Sequence, residues 1–298
     1  MNYFDDLSIA TTVHNNAGMS AAMLKSFAEH VGSVAEIIVV DDGSSLAYET
    51  PMQMSNMSIV RNESPLGFCK ASDMALRNVR TPYAVLVDAD VLFQPGDFAG
   101  GFEEFRRGSW AWVNFRQVSF AGTPQNAFEQ PLMSPWVFGA GNQVHSVWEK
   151  LRRLELPANV RIAPVEAAHS SCTLVKMKAF HAIGGFDPWY AQCQSDIEIS
   201  LRFAEHGYGV GVHLGYEVKH EGAGGRSGNP ARVLDLYRAR VHLYEREYPR
   251  SRVYLRPLLF ARHLLELFWF AVTWPLKRNT SQLRLRFRML STVWSGYE

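Results

Sequence analysis

Between Leu7 and Asp90, three short apolar runs each break off abruptly into acids or amides. Leu7 to Val13 runs into His14-Asn15-Asn16, Glu36 to Val40 into Asp41-Asp42-Gly43, and Tyr83 to Val87 into Asp88-Ala89-Asp90. Runs this short and rich in Val and Ile predict strands buried on both faces. Between them, Ala17 to His30 carries Met23, Leu24 and Phe27 at helical spacing, and Gly67 to Val79 reads as a second helix. Strands alternating with helices predict right-handed βαβ units and an α/β fold with a mostly parallel central sheet flanked by helices. Ligands of such sheets gather beyond the carboxyl ends of the strands, where all three polar clusters fall.

Further along, Asp97 to Arg107 predicts a helix and Ser109 to Val118 a strand. Ser171 to Val175 predicts another strand, and Met177 to Ile183 a short helix stopped by Gly184-Gly185. Asp196 to His206 reads as a helix, Val210 to Leu214 as a strand with strand character up to Lys219, and Pro230 to Glu247 as a helix. Ser195 and Glu198 have the spacing of a capping box, which would make Ser195 the N-cap. Ala121 to Asn142 shows no period and reads as a long functional loop.

Composition is that of a protein with a sizeable core: 47% of 298 residues are hydrophobic and 20% charged. The net charge of +1 is unevenly spread, because nine Lys/Arg against two acids follow from Arg250 onward. A near-neutral body argues against a nucleic-acid binder. Cys69, Cys172 and Cys193 are odd in number and widely spaced, which predicts buried reduced thiols in a cytoplasmic protein. Met1 to Leu7 lacks the basic start of a signal peptide, and the apolar run Leu267 to Leu276 is too short to span a bilayer.

Two carboxylates one residue apart at a strand end, Asp88 and Asp90, point to the same side. Such like charges are costly unless a cation lies between them, and Mg²⁺ in particular combines carboxylates with phosphate ligands. His220, after the strand ending near Lys219, is a candidate third ligand, and Arg226 in the following Gly-rich stretch a candidate phosphate partner. Asp196, in the first turn of its helix, is held on a rigid element as a general base must be, and reads as ionised and partly exposed.

Together these segments resemble the family 2 glycosyltransferases of the GT-A fold, over about Leu7 to Arg226. The resemblance rests on Val13-His14-Asn15, Glu36 through Asp41-Asp42-Gly43-Ser44, Asn62 with Gly67-Phe68 through Asp73, and Asp88-Ala89-Asp90. Gly184-Gly185-Phe186-Asp187 followed by Asp196, then Val218-Lys219-His220, complete it. It implies a catalytic domain over 1–229, with a nucleotide-sugar half to about 118 and an acceptor half over 119–229, and a helical C-terminal region over 230–298. It implies that Asp41, Val13 and Asn15 line the nucleotide pocket with Gly67 and Asp73. Asp88 would contact the ribose or the metal's water shell, and Asp90 and His220 would hold Mn²⁺ or Mg²⁺. Asp196 would take the proton of an acceptor hydroxyl. Trp189 and Tyr190 are candidates for stacking on the acceptor sugar, or for capping the core.

The implied reaction is an inverting, non-processive transfer from a dTDP- or UDP-linked sugar to a glycan or lipid-linked acceptor, similar to bacterial rhamnosyl- and related surface-glycan transferases. No Gln-x-x-Arg-Trp follows Asp196, as a processive synthase would require. The absence of G-x-G-x-x-G after the first strand argues against a dehydrogenase. A non-catalytic nucleotide-sugar-binding protein on the same scaffold is the alternative. The tail over 250–298 alternates Arg284, Arg286 and Arg288 with Leu283, Leu285 and Phe287. It reads either as a cap on the domain or on a second subunit of a homodimer, or as a segment lying on the inner face of the cytoplasmic membrane.

Overall fold

The computed structural model describes residues 2–49, 55–129, 134–140, 160–222, 230–277 and 280–293. The chain forms two compact units, residues 1–130 with 155–224, and 131–154 with 225–298.

The first unit is built on one large sheet. β1 (Asn2–Val13) is flanked by β2 (Gly32–Asp41) and β4 (Tyr83–Asp88), and β3 (Met57–Arg61) lies outside β2. All of these pair in parallel. Two strands carry the chain onward from β4: the short β5 (Val91–Phe93) and, after a helix, the longer β6 (Trp110–Val118). β7 (Pro124–Gln125), β8 (Phe128–Glu129), β9 (Ile162–Pro164) and β10 (Ala167–Ala168) are short, and β11 (Cys172–Lys176) and β12 (Gly209–His220) return to the main sheet. The order is β3-β2-β1-β4-β11-β6-β12-β5. β11 runs against both β4 and β6, and β5 against β12, while β6 and β12 are parallel. The sheet is therefore mixed, with most of its strands running one way, as the βα alternation predicts.

The helices cover it as their apolar spacing requires. α1 (Ala17–His30) buries Met23, Leu24 and Phe27, and α2 (Phe68–Arg77) buries Cys69, Ala71, Ala75 and Leu76. α3 (Phe98–Arg107) puts Phe98, Phe102 and Phe105 into the core, where Phe98 and Phe102 meet Phe4 edge-to-face at 5.7 and 5.6 Å. Asp97 caps α3 by accepting from the Gly100 N–H at 2.9 Å. All three cysteines are buried thiols.

One expectation changes. The stretch from Ala121 is not a structureless loop: β7 and β8 pair with β6 and β10, and α4 (Pro135–Ala140) follows. Residues 130–133 and 141–142 of it lie outside the described residues. Backbone pairing to neighbouring strands gives order there without any hydrophobic period. β3 and β5 were not visible in the pattern, because β3 is a half-exposed edge strand and β5 has three residues.

The second unit packs α7 (Pro230–Glu247), α8 (Ser251–Lys277) and α9 (Thr280–Thr292) around Tyr237, Val241, Tyr244, Leu255, Leu259, Met289 and Val293, with Phe138 of α4 against them. Gly139 lets α4 approach α8, since a Cβ there would meet Leu258 at 2.5 Å. Among the described residues, no helix is long and apolar enough to cross a membrane.

Candidate active site

Strand pairing assembles the acidic cluster. Asp88 ends β4 opposite Thr12 of β1, and the chain turns through Ala89-Asp90 into β5. β5 pairs antiparallel with the end of β12 in a register that sets His220 opposite Val91. His220 Nε2 therefore comes to lie 3.4 Å from Asp90 Oδ1 and 3.9 Å from Asp88 Oδ2. One ligand atom from each of the three residues falls within 4.8 Å of the others. Burial opposes ionisation of Asp90, but the hydrogen bond and charge of His220 outweigh it and hold the carboxyl below its ordinary range. Two carboxylates and an imidazole suit a divalent ion such as Mn²⁺ or Mg²⁺, leaving other positions for phosphate and water.

Behind His220 lies a chain of buried amides. Its Nδ1 is 2.9 Å from Gln117 Oε1. Gln117 Nε2 donates to Asn114 Oδ1 at 3.0 Å and to Ser171 Oγ, and Asn114 Nδ2 donates to the carbonyls of His169 at 2.5 Å and Ala127 at 3.3 Å. Asn114 and Gln117 are buried. Sequence reading missed both, although two amides inside the apolar strand Trp110–Val118 were a visible signal.

The end of β2 is a second polar knot. Asp41 is fully buried, and its carboxylate accepts from the Ser44 and Tyr48 N–H groups, each at 2.9 Å, and from Arg61. Burial would raise its pKa, but these hydrogen bonds and that of the Ser44 side chain lower it. Both oxygens of Asp41 are thus engaged, and they hold the Ser44–Tyr48 turn. Asp42 likewise accepts from Asn62 Nδ2 and the Leu66 N–H at 2.8 Å and from the Gly67 N–H at 3.0 Å. Val13 is buried, and its carbonyl accepts from the Asp42 N–H. Asn15 adopts a left-handed φ of 57° and is held by Ser44 Oγ on its N–H and by the Ser45 N–H on its Oδ1. Asn tolerates that conformation better than most residues. Gly67 has φ 90° at the start of α2, where a side chain would also press on the Ala191 carbonyl. Asp73 accepts from the Phe186 N–H at 2.9 Å and pairs with Arg77.

Asp196 sits in the first turn of α6 (Ser195–Glu205), which follows α5 (Met177–Ala182). The capping box does not form. Gln194, with φ 66°, is the N-cap, and Glu198 turns away to bind Arg202. Asp196 is half-buried, and its Oδ1 accepts from the Ile197 N–H at 2.9 Å. Desolvation raises its pKa, with Glu129 adding to the rise and His169 opposing it. Desolvation is thus what holds Asp196 above its ordinary value, with Glu129 of β8 and His169 of the turn after β10 acting in opposite directions. Of the two aromatic candidates, Trp189 is exposed whereas Tyr190 is fully buried, so Tyr190 belongs to the core and cannot stack on a sugar. Arg226 lies outside the described residues.

Residues 8–184 match the profile of glycosyl transferase family 2. The chain belongs to this family. No curated protein matches it in sequence. Among solved structures, GalNAc-T7 with UDP, GalNAc and Mn²⁺ is similar with a TM-score of 0.57 at 14% identity, over 83% of this chain and 52% of that one. The family 2 chain thus spans about half of GalNAc-T7. The mannosyltransferase PcManGT from Pyrobaculum calidifontis, in complex with GDP-Man and Mn²⁺, gives 0.53 at 15% identity over 98% and 86% of the two chains. TarS 1–349 of S. aureus gives 0.53 at 14% over 97% and 80%. At these identities the likeness is one of fold, and the fold is GT-A.

Proposed function

We propose that this family 2 glycosyltransferase moves one sugar from a nucleotide-diphospho-sugar to an acceptor hydroxyl with inversion at the anomeric carbon. The observation that carries the reading is the convergence of Asp88, Asp90 and His220 at the rim of the sheet. These three would hold Mn²⁺ or Mg²⁺, which when bound offsets the charge of the departing diphosphate. The turn Val13–Asn15 and the Ser44–Ser45 backbone frame the nucleotide side, with Asp41, Asp42, Gly67 and Asp73 as its supports. Asp196 takes the proton of the acceptor hydroxyl. The acceptor oxygen forms the new bond to the anomeric carbon as the bond from that carbon to the diphosphate breaks, releasing nucleoside diphosphate. Positioning and electrostatic stabilisation supply most of the rate, and a base with a raised pKa is matched to proton transfer near neutral pH. Trp189 offers an exposed ring to the acceptor.

The donor is a dTDP- or UDP-linked hexose or deoxyhexose, and the acceptor a glycan or lipid-linked glycan of a cell-surface polysaccharide, built one sugar at a time in the cytoplasm. Release of nucleoside diphosphate from a panel of dTDP-, UDP- and GDP-sugars with Mn²⁺ tests this. Metal-dependent turnover of at least one donor is expected. Binding of a donor with no release, even when acceptors are supplied, would favour the non-catalytic alternative.

A further inference from the structure

The second unit presents an apolar face for which its own core has no use. On α8, Leu265, Phe268, Trp269 and Val272 are 70, 69, 60 and 58% exposed. Their spacing of i, i+3, i+4, i+7 puts them on one side of the helix. Exposed apolar stripes of this size mark interaction sites. On α9, Phe287 is 63% exposed between the exposed Arg284 and Arg288, and these three form a groove with Leu283 and with Leu267 of α8. The charge is one-sided. From Arg250 to Tyr297 the sequence has a single acid, Glu266. That acid is occupied by Arg262 at 2.9 Å, Arg286 at 2.7 Å and His263 at 3.1 Å.

We propose that this face docks on an anionic lipid bilayer, with α8 lying along the interface and Arg284 and Arg288 among the headgroups. Leu, Phe and Trp suit the boundary between headgroups and acyl chains, and juxtaposed cations add attraction to anionic lipids. A self-complementary contact between two copies would instead set these arginines against each other, and Glu266, the one acid among the described residues of α8 and α9, is already engaged. The test is co-sedimentation of the full chain with vesicles of phosphatidylcholine alone, or of phosphatidylcholine with phosphatidylglycerol. Wild type is expected to pellet with the anionic vesicles and much less with the neutral ones. The double change Arg284→Gln, Arg288→Gln is expected to weaken binding about 30-fold, from two lost headgroup attractions. Phe268→Ser with Trp269→Ser, both surface changes, should abolish it while circular dichroism stays unchanged. Equal pelleting of wild type and the Phe268/Trp269 variant overturns the proposal. So does a dimer of the free chain that this variant dissolves, which would identify a second copy as the occupant.

A separate observation, the amide chain behind His220, points to Asn114 and Gln117 as positioning residues for the metal site. The atoms of Asn114 that face two backbone carbonyls must be its NH₂ group, because a carbonyl only accepts. Its Oδ1 then faces Gln117, which must present NH₂ there and its Oε1 to His220. His220 Nδ1 therefore carries a proton, and Nε2 is the nitrogen turned to Asp88 and Asp90. The ring's tautomer is thus set by the His169 and Ala127 carbonyls. Such partners of a metal-binding His orient it and raise its affinity.

This inference rests on the metal reading above, and its test separates the two. In ¹⁵N-histidine spectra near pH 9, well above the ordinary imidazole range, the resonance lost in His220→Ala is expected to show an Nδ1–H tautomer. Gln117→Met should shift it toward Nε2–H and weaken Mn²⁺ binding about 10- to 100-fold. An Nε2–H tautomer in wild type overturns the positioning role. Unchanged Mn²⁺ affinity in Asp90→Ala would overturn the metal reading instead.

Discussion

Arg202 grips Glu198 with two arms, Nε to Oε1 at 2.6 Å and Nη2 to Oε2 at 2.8 Å, on the helix that carries Asp196. It also donates to the Ile183 and Gly185 carbonyls at 2.8 and 2.7 Å, tying α6 to the glycine turn after α5. Glu198 is fully buried. Breaking a buried pair on one side leaves an uncompensated charge, which costs about 3–5 kcal/mol. Arg202→Met is therefore expected to lower stability by that order in urea denaturation. The double change with Glu198→Gln should recover part of the loss, and equal stability of Arg202→Met and wild type would contradict this account.

Asp196→Asn removes the proposed base and leaves the donor side intact. Transfer is expected to vanish while nucleotide-sugar binding, measured by calorimetry, stays close to wild type. Unimpaired turnover would show that another group takes the proton.

The raised pKa of Asp196 also fixes the form of the pH profile. The reaction needs the ionised carboxylate, so kcat/KM should fall as pH drops through the raised value, above the ordinary carboxylate range. Glu129→Gln removes a neighbouring negative charge and should move this acid limb to lower pH. No movement would mean that burial alone sets the value.

His213 predicts an acid-sensitive fold. It is fully buried against Phe115, with a ring-centroid distance of 5.4 Å, and neither ring nitrogen has a hydrogen-bond partner among the described residues. Burial lowers its pKa from 6.5 to about 4, with Arg161 adding to the shift and Asp97 opposing it. Above pH 6.5 the group is neutral in both states and has no effect. As pH falls below that, the unfolded chain takes up a proton that the folded one refuses, and stability drops until about pH 4. The loss is about 3 kcal/mol. His213→Leu should flatten this part of the stability curve in denaturant titrations, and an unchanged slope would contradict the assignment.

Much of this was legible in the chain because burial on both faces writes β1, β2 and β4 as continuous apolar runs. The spacing of Met23, Leu24 and Phe27 likewise writes the inner face of α1. Asp88 and Asp90 were legible as a pair, since their positions relative to the strand end are local. What brings His220 to them is not local: the pairing of β12 with the three-residue β5 has no periodic signature. Asp41 and Asp73 were legible as acids of the nucleotide side, while the backbone N–H groups and arginines that hold them are visible only in the fold. Glu129 and His169 escaped notice for the same reason, lying on short strands and turns ordered by pairing rather than by apolar spacing. The Ser195–Glu198 spacing misled, as the half-buried Arg202 is a stronger partner for the buried Glu198 than a backbone N–H.

The most direct measurement is manganese anomalous scattering from crystals of the full chain soaked with MnCl₂ and a nucleoside diphosphate. The account predicts one strong peak bounded by Asp88, Asp90 and His220, with the diphosphate beside it, and no such peak in Asp90→Ala. A nucleotide bound with the ion elsewhere, or with no ion at all, would contradict it.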